Sequence, residues 1–164
     1  MNPSVTITPF EPADADAFAA LNLAWLVPLE LFEPADEKQL YGFDETVFAR
    51  GGAIFMAKAG AAAVGCCAAI PHDADTIEVA KLAVEQSAQG HGVGRRLVHA
   101  ALAVRVARGC RRAVLTSSHK LVAALKLYES VGFRYREMPS VRPYETADVY
   151  MELDLAHWIE VTRS

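Results

Sequence analysis

Hydrophobic and polar positions lay out the elements of this chain. Val5-Thr6-Ile7-Thr8 alternates as a short strand and stops at Pro9. Residues 13–26 carry Ala17, Phe18, Leu21 and Trp25 at helical spacing among helix-favouring alanines, and Pro28 closes the helix. From residue 29 to 41, Glu30, Glu33, Asp36 and Glu37 interleave with Leu29, Leu31, Phe32, Leu40 and Tyr41, a mixed stretch read as helical. Asp44 is placed to cap a further short helix through Ala49, ended by Gly51-Gly52. Residues 53–59 and 64–70 are apolar runs of strand length on either side of a turn at Gly60. Gly65 among small residues predicts a close approach of the sheet to a neighbouring element.

The chain is organised around residues 76–96. Ile77, Val79, Leu82, Ala83 and Val84 form a largely apolar run with β-branched members, which predicts a strand. A turn, Glu85-Gln86-Ser87-Ala88, leads to Gln89-Gly90-His91-Gly92-Val93-Gly94 and then Arg95-Arg96. Glycines let the main chain turn tightly and bring N–H groups close to a ligand. The first N–H groups of a helix lack internal partners and sit at the positive end of its dipole. Such a place suits a phosphate or diphosphate, with Arg95 and Arg96 adding charge at the rim. A dinucleotide fingerprint beginning at Gly90 would need glycine where Arg95 stands, and the triphosphate loop's Gly-Lys-Ser/Thr is absent.

Val93, Leu97, Val98, Ala101, Leu102 and Val106 mark the buried stripe of the following helix, which Gly109 stops. Residues 113–116 are a short buried strand, so strand, helix and strand predict a parallel crossover. Ser117 or Ser118 can cap a next helix bearing Leu121, Ala124, Leu125 and Tyr128 on one face. Gly132 ends it. A strand from Phe133 to about Glu137, a loop over residues 138–145 and a last strand over 147–155 follow. The tail from His157 to Ser164 suits a short helix or an oligomer contact.

Composition narrows the class. The 164 residues, 52% hydrophobic and 22% charged, suit one packed domain rather than disorder. A net charge of −4 gives no reason to expect nucleic acid as partner. No apolar run approaches membrane-spanning length, the first residues lack a signal-peptide pattern, and the expected location is cytoplasmic. Cys66 and Cys67 should leave opposite strand faces, and with Cys110 they read as free, buried thiols. The histidines show no ligand spacing, so no metal is expected.

The signature Gln-x-x-Gly-x-Gly, at Gln89, Gly92 and Gly94, resembles the diphosphate loop of the GNAT family of acetyl-CoA-dependent N-acetyltransferases. Two neighbouring pieces are similar as well. Residues 78–84 look like the strand before that loop, and Leu127-Tyr128 with Gly132-Phe133 match a helix ending in Leu-Tyr-x-x-x-Gly-Phe. The order β-α-α-β-β-β-α-β-α-β-β is the family's, which implies an α/β fold with a mixed, mostly antiparallel sheet flanked by helices. The resemblance covers residues 50–154, and the N-terminal third, which usually shapes the acceptor pocket, only in outline.

The resemblance implies acetyl-CoA as co-substrate, direct transfer to a primary amine, and backbone contacts to the cofactor at Leu82, Ala83 and Val84. It implies diphosphate binding by the N–H groups of Gly90, His91, Gly92, Val93, Gly94 and Arg95, assisted by Gln89. Tyr128 is the expected proton donor to the departing thiolate, with ordinary packing as the alternative. Thiol and phenol pKa values of about 8.5 and about 10 suit that transfer. Glu78 is the candidate base, against a solvent-facing or salt-bridged strand residue or a water chain. Lys81, at an odd offset, is expected on the opposite face. An asparagine frequent in the family is missing from residues 116–121. Ser118 either substitutes for it on the pantetheine arm or caps the helix, the cap being the favoured reading. His119 is expected to face solvent, the acidic segment to be solvated, and Trp25 and Phe32 to be core. The resemblance also allows a homodimer. A catalytically idle acyl-CoA sensor is the other reading.

Overall fold

The computed structural model describes residues 4–142 and 144–163; residues 1–3, Pro143 of the expected loop and Ser164 of the tail lie outside them. Seven strands among the described residues are β1 (Val5–Pro9), β2 (Ala53–Ala59), β3 (Ala62–Pro71), β4 (Thr76–Val84), β5 (Arg112–Ser117), β6 (Arg134–Arg136) and β7 (Val149–Asp154). They make one sheet in the order β1-β2-β3-β4-β5-β7-β6. Neighbours run antiparallel except β4 and β5, the expected crossover pair. The helices are α1 (Ala15–Leu26), α2 (Pro34–Tyr41), α3 (Phe43–Thr46), α4 (Val93–Val106), α5 (Val122–Val131) and α6 (Leu155–Arg163). The α/β class and the mixed, mostly antiparallel sheet stand as expected.

Strand alternation sends side chains into two cores. Ile54, Met56, Cys66 and Ile70 meet Phe18, Leu26 and Leu40 of α1 and α2 on one face. Ala57, Cys67, Val79 and Leu115 meet Val93, Leu97, Val98 and Leu102 of α4 on the other. The two adjacent cysteines are thus parted to opposite faces, as their spacing requires. Gly65 has the packing role expected of it, since a Cβ there would stand 3.0 Å from Leu97 Cδ1 and 3.1 Å from the Ala83 carbonyl oxygen. The last strand ends at Asp154 and α6 starts at Leu155, taking in the described part of the tail; its Leu155 and Trp158 sit in the α4-side core, where the indole meets the His99 ring edge-on at 5.4 Å.

Three expectations fail locally. Neither Ser117 nor Ser118 caps α5: β5 runs through Ser117, and the Ser118 hydroxyl accepts from Lys120 N at 3.2 Å in a turn that ends before the helix. Asp44 lies inside α3 rather than capping a longer helix, and Phe48 to Arg50 form a separate tight turn. Phe32 is exposed, not core.

Candidate active site

The pairing of β4 with β5 stops at Glu78–Val114. Beyond it the strands part, and the gap opens into a cleft of about 770 Å³ running from the start of α4, past Tyr128, to α1 and α2. Main chain that a continuous sheet would pair with β5 is left facing this space along residues 79–84, so those of its polar groups not bonded within the protein are available to a ligand.

A bulge sets the course of β4. Its register with β3 passes from Ala80–Ala68 to Ala83–Cys66, three residues against two. Lys81 absorbs the extra residue with φ of 55°, a left-handed conformation uncommon in a residue with a Cβ. One consequence overturns the odd-offset reading: Lys81 lies on the α2 side together with Ala80, and its ammonium pairs with Asp36 inside the protein. Side-chain exposures of 7% and 3% mark a buried ion pair. After the bulge, Ala83 points to the α1 and α2 core while Leu82 and Val84 point to the α4 core.

At the other end of the cleft the glycines divide their work. Gly90 and Gly92 have φ of 81° and 78°, with open space where a Cβ would stand, and Gly92 is the N-cap of α4. Gly94 instead permits close packing, because a Cβ there would lie 2.9 Å from Leu127 Cδ2 of α5. Gly90, Gly92, Val93, Gly94 and Arg95 line the cleft, whereas His91 is exposed and outside its lining. The Gln89 side chain ties the loop to the strand, its amide nitrogen donating to the Val84 carbonyl at 2.9 Å. Arg95 donates to Ser130 Oγ at 2.6 Å at the rim. Arg96 does not reach that rim; its guanidinium donates to the Val5 carbonyl at 2.8 Å.

Tyr128 and Ser118 line the middle of the cleft, both almost fully buried. The Tyr128 ring packs edge-on against Phe133 at 5.9 Å, so packing and access to the cleft coexist. Burial, with the Cys67 thiol nearby, raises its pKa well above the usual phenol value and keeps it protonated. Glu78 is 7% exposed, lines the cleft, and meets His72 Nε2 at 3.7 Å on the outer side. The Glu78 carboxylate holds the His72 imidazolium above the ordinary histidine range, against the opposing pull of burial. Burial pushes the Cys66 thiol up to about 12 and Cys67 higher still, which leaves neither a ready nucleophile.

Sequence reading missed most of the far wall. Trp25 packs against the α1 and α2 core, as expected, and also lines the cleft, beside Leu26 and Leu31. The acidic segment is not uniformly solvated: Asp36 is buried in the wall, while Glu30 and Glu37 are exposed. Glu33 accepts from the backbone N–H of Glu145 at 2.9 Å and of Thr146 at 3.0 Å, and from the Thr146 hydroxyl. Burial works against its ionisation, but these bonds outweigh it and hold the Glu33 carboxyl below the usual range. They fasten the loop before β7 to α2, placing Tyr144 and Thr146 in the cleft wall. The Tyr144 hydroxyl donates to Gln39 Oε1, and its ring lies 4.9 Å beneath Lys81 Nζ. No local pattern announces these contacts, since the Glu33 and Gln39 bonds join residues more than a hundred positions apart and Lys81 and Tyr144 are also distant in sequence. His119 is exposed, as expected, and pairs with Asp148. Among the described residues no group of three or more metal-ligating side chains converges, and no helix is long and apolar enough to cross a membrane.

Known proteins carry the same plan. A GNAT acetyltransferase from Staphylococcus aureus Mu50 superposes with a TM-score of 0.84 over 93% of this chain and 99% of its own, at 16% identity. A GNAT acetyltransferase from Elizabethkingia anophelis, solved with acetyl-CoA bound, gives 0.64 over 92% and 97%, at 21% identity. The human N-acetylaspartate synthetase is 37% identical over 73 residues, 44% of this chain and 24% of that protein, so the match spans about a quarter of its length. The acetyltransferase (GNAT) domain profile matches residues 50–135, more than half of the chain, and the protein belongs to the GNAT acetyltransferase family.

Proposed function

We propose that this protein transfers the acetyl group of acetyl-CoA to a primary amine by direct attack within a ternary complex. The observation that carries the reading is the single cleft between β4 and β5, which joins a glycine-lined helix entry, an almost buried phenol and a buried carboxylate. The fit to acetyl-CoA rests on these residues. Gly90 and Gly92 leave the space of a side chain open at the positive end of a 14-residue helix, which suits a diphosphate. The parted edge of β4 from Leu82 to Val84 offers main-chain groups to an amide-bearing arm. Bound there, acetyl-CoA supplies the activated acyl group.

The chain's own residues then divide the work. Main-chain donors just beyond the bulge hydrogen-bond the carbonyl oxygen as negative charge develops on it. Glu78 accepts the proton of the attacking ammonium, directly or through one water. As the C–N bond forms and the C–S bond breaks, Tyr128 donates its hydroxyl proton to the leaving sulfur, and the extra proton on the new amide nitrogen passes, directly or through water, back to the phenolate. The burial that raises the phenol's pKa equally disfavours a bare thiolate beside it, so the two effects offset and the phenol stays protonated until the sulfur leaves. A covalent acetyl-cysteine route is disfavoured by the raised thiol pKa values of Cys66 and Cys67. The three free, buried thiols support a reducing compartment, the cytoplasm.

Thiol release from acetyl-CoA, measured with a panel of amines that includes aspartate and polyamines, tests this function. Amine-stimulated release is the expected outcome. Acetyl-CoA binding with no stimulation by any amine would reduce the protein to an acyl-CoA sensor.

A further inference from the structure

The left-handed residue at the centre of the cleft wall is a lysine, where glycine would serve without strain. Such a conformation persists only where the surroundings over-determine it. Three contacts do so here. The Lys81 carbonyl accepts from the Cys66 thiol at 3.4 Å, the Lys81 ammonium pairs with Asp36, and the same ammonium lies over the Tyr144 ring. Asp36 is itself held rigidly. One of its oxygens accepts the Glu33 N–H at 2.8 Å at the start of α2, and the other takes Lys81. A fixed carboxylate on α2 therefore anchors the side chain of the bulged residue, and the bulge determines which way Leu82, Ala83 and Val84 turn.

We propose that Asp36 and Lys81 are positioning residues whose ion pair holds β4 in its bulge and so presents the main chain of Leu82 to Val84 to acetyl-CoA. Neither needs to touch the reacting atoms. The inference rests on acetyl-CoA as ligand of this cleft, and it ties affinity for the cofactor to α2, an element of the N-terminal third.

Alanine and glycine at position 81 separate backbone from charge. Both remove the ammonium and leave Asp36 unpaired alike, but only glycine takes a φ near 55° without strain. In calorimetric titrations of the full chain, Lys81→Ala is expected to bind acetyl-CoA about tenfold more weakly than wild type, an effect of the size of one left-handed residue. Lys81→Gly is expected to stay within about twofold of wild type. Asp36→Asn should resemble Lys81→Ala, and adding Lys81→Gly to Asp36→Asn should recover the affinity. Equal losses in Lys81→Ala and Lys81→Gly would overturn the proposal, because charge or bulk rather than backbone shape would then be what matters. Wild-type affinity in Lys81→Ala would overturn it too. If Asp36→Asn does not fold, the two position-81 variants decide alone. Amide exchange at Leu82 to Val84 is a second readout, perturbed in Lys81→Ala and wild-type-like in Lys81→Gly. It tests the bulge even if wild-type protein binds no acetyl-CoA, a result that would defeat the functional reading instead.

Discussion

The two ends of the cleft are built on different principles. At the α4 end, contacts are short in sequence: Gly90 and Gly92 to Arg95 line it, and the Gln89 side chain reaches back five residues to the Val84 carbonyl. At the α2 end, contacts are long and made by side chains: Asp36 to Lys81, Glu33 to Thr146, Tyr144 to Gln39. A site for an invariant ligand group can be written into one loop, because backbone geometry follows from glycine placement. A pocket for a particular acceptor has to be assembled from several elements, so that its shape can change without altering the loop. The match of the domain profile to residues 50–135 takes in the α4 end and stops short of both α2 and the loop before β7.

The largest expected effect tests the chemistry that the two ends share. Tyr128→Phe should lower kcat by about 100-fold, the low end for a lost general acid, while acetyl-CoA affinity changes less than about twofold. Unchanged turnover in a steady-state assay would remove Tyr128 from the mechanism. Glu78→Gln should lower kcat by between about tenfold and 100-fold and flatten the acidic limb of the pH–rate profile. A profile that keeps its shape would assign the proton to a water chain. Gly92→Val breaks the α4 end alone. A β-branched residue at φ of 78° costs upwards of about 1–2 kcal/mol, so acetyl-CoA affinity should fall about tenfold or more in calorimetry, with the acceptor KM little altered.

Smaller effects probe the α2 end. Glu33→Ala releases the loop carrying Tyr144 and Thr146, and should raise the acceptor KM by a few fold, with acetyl-CoA affinity unchanged. A change confined to acetyl-CoA would show that the two ends are not separable in this way. The smallest effect is a pH dependence of stability from His72. Its pKa is raised in the folded state, so the stabilisation is complete below the unfolded value of about 6.5 and disappears as pH climbs through the folded value. Because the ring is about half exposed, the melting-temperature gap between wild type and His72→Ala should be small, largest at mildly acidic pH, and closed in alkaline solution.

Most of the fold could be read from periodicity. The stripe Val93, Leu97, Val98, Ala101 and Leu102 is buried as its spacing requires, and the parallel crossover follows from strand, glycine turn, helix and strand. Gly92 and Gly90 stand where their open, left-handed conformations serve the helix entry. Errors fell where a residue's neighbours are distant in sequence or where a strand breaks its own alternation. Trp25 packs on the core as its helical spacing requires, but its second role in the cleft wall is not written in that spacing. Lys81 lies on the other side from the one alternation predicts, because alternation holds only without a bulge, and nothing in Ala80-Lys81-Leu82 announces one.

What the sequence determined alone was the local grammar: helix and strand periods, glycine at the helix entry, thiols parted by adjacency, and a tyrosine set in a recognisable helix end. These depend on residues within a few positions of each other, where covalent geometry and burial leave few choices. The tertiary structure decided the far wall of the cleft, the side on which Lys81 lies, and the roles of Asp36, Glu33 and Tyr144. Each depends on which distant partner comes within hydrogen-bonding reach, and that is fixed only when the two cores close on the sheet.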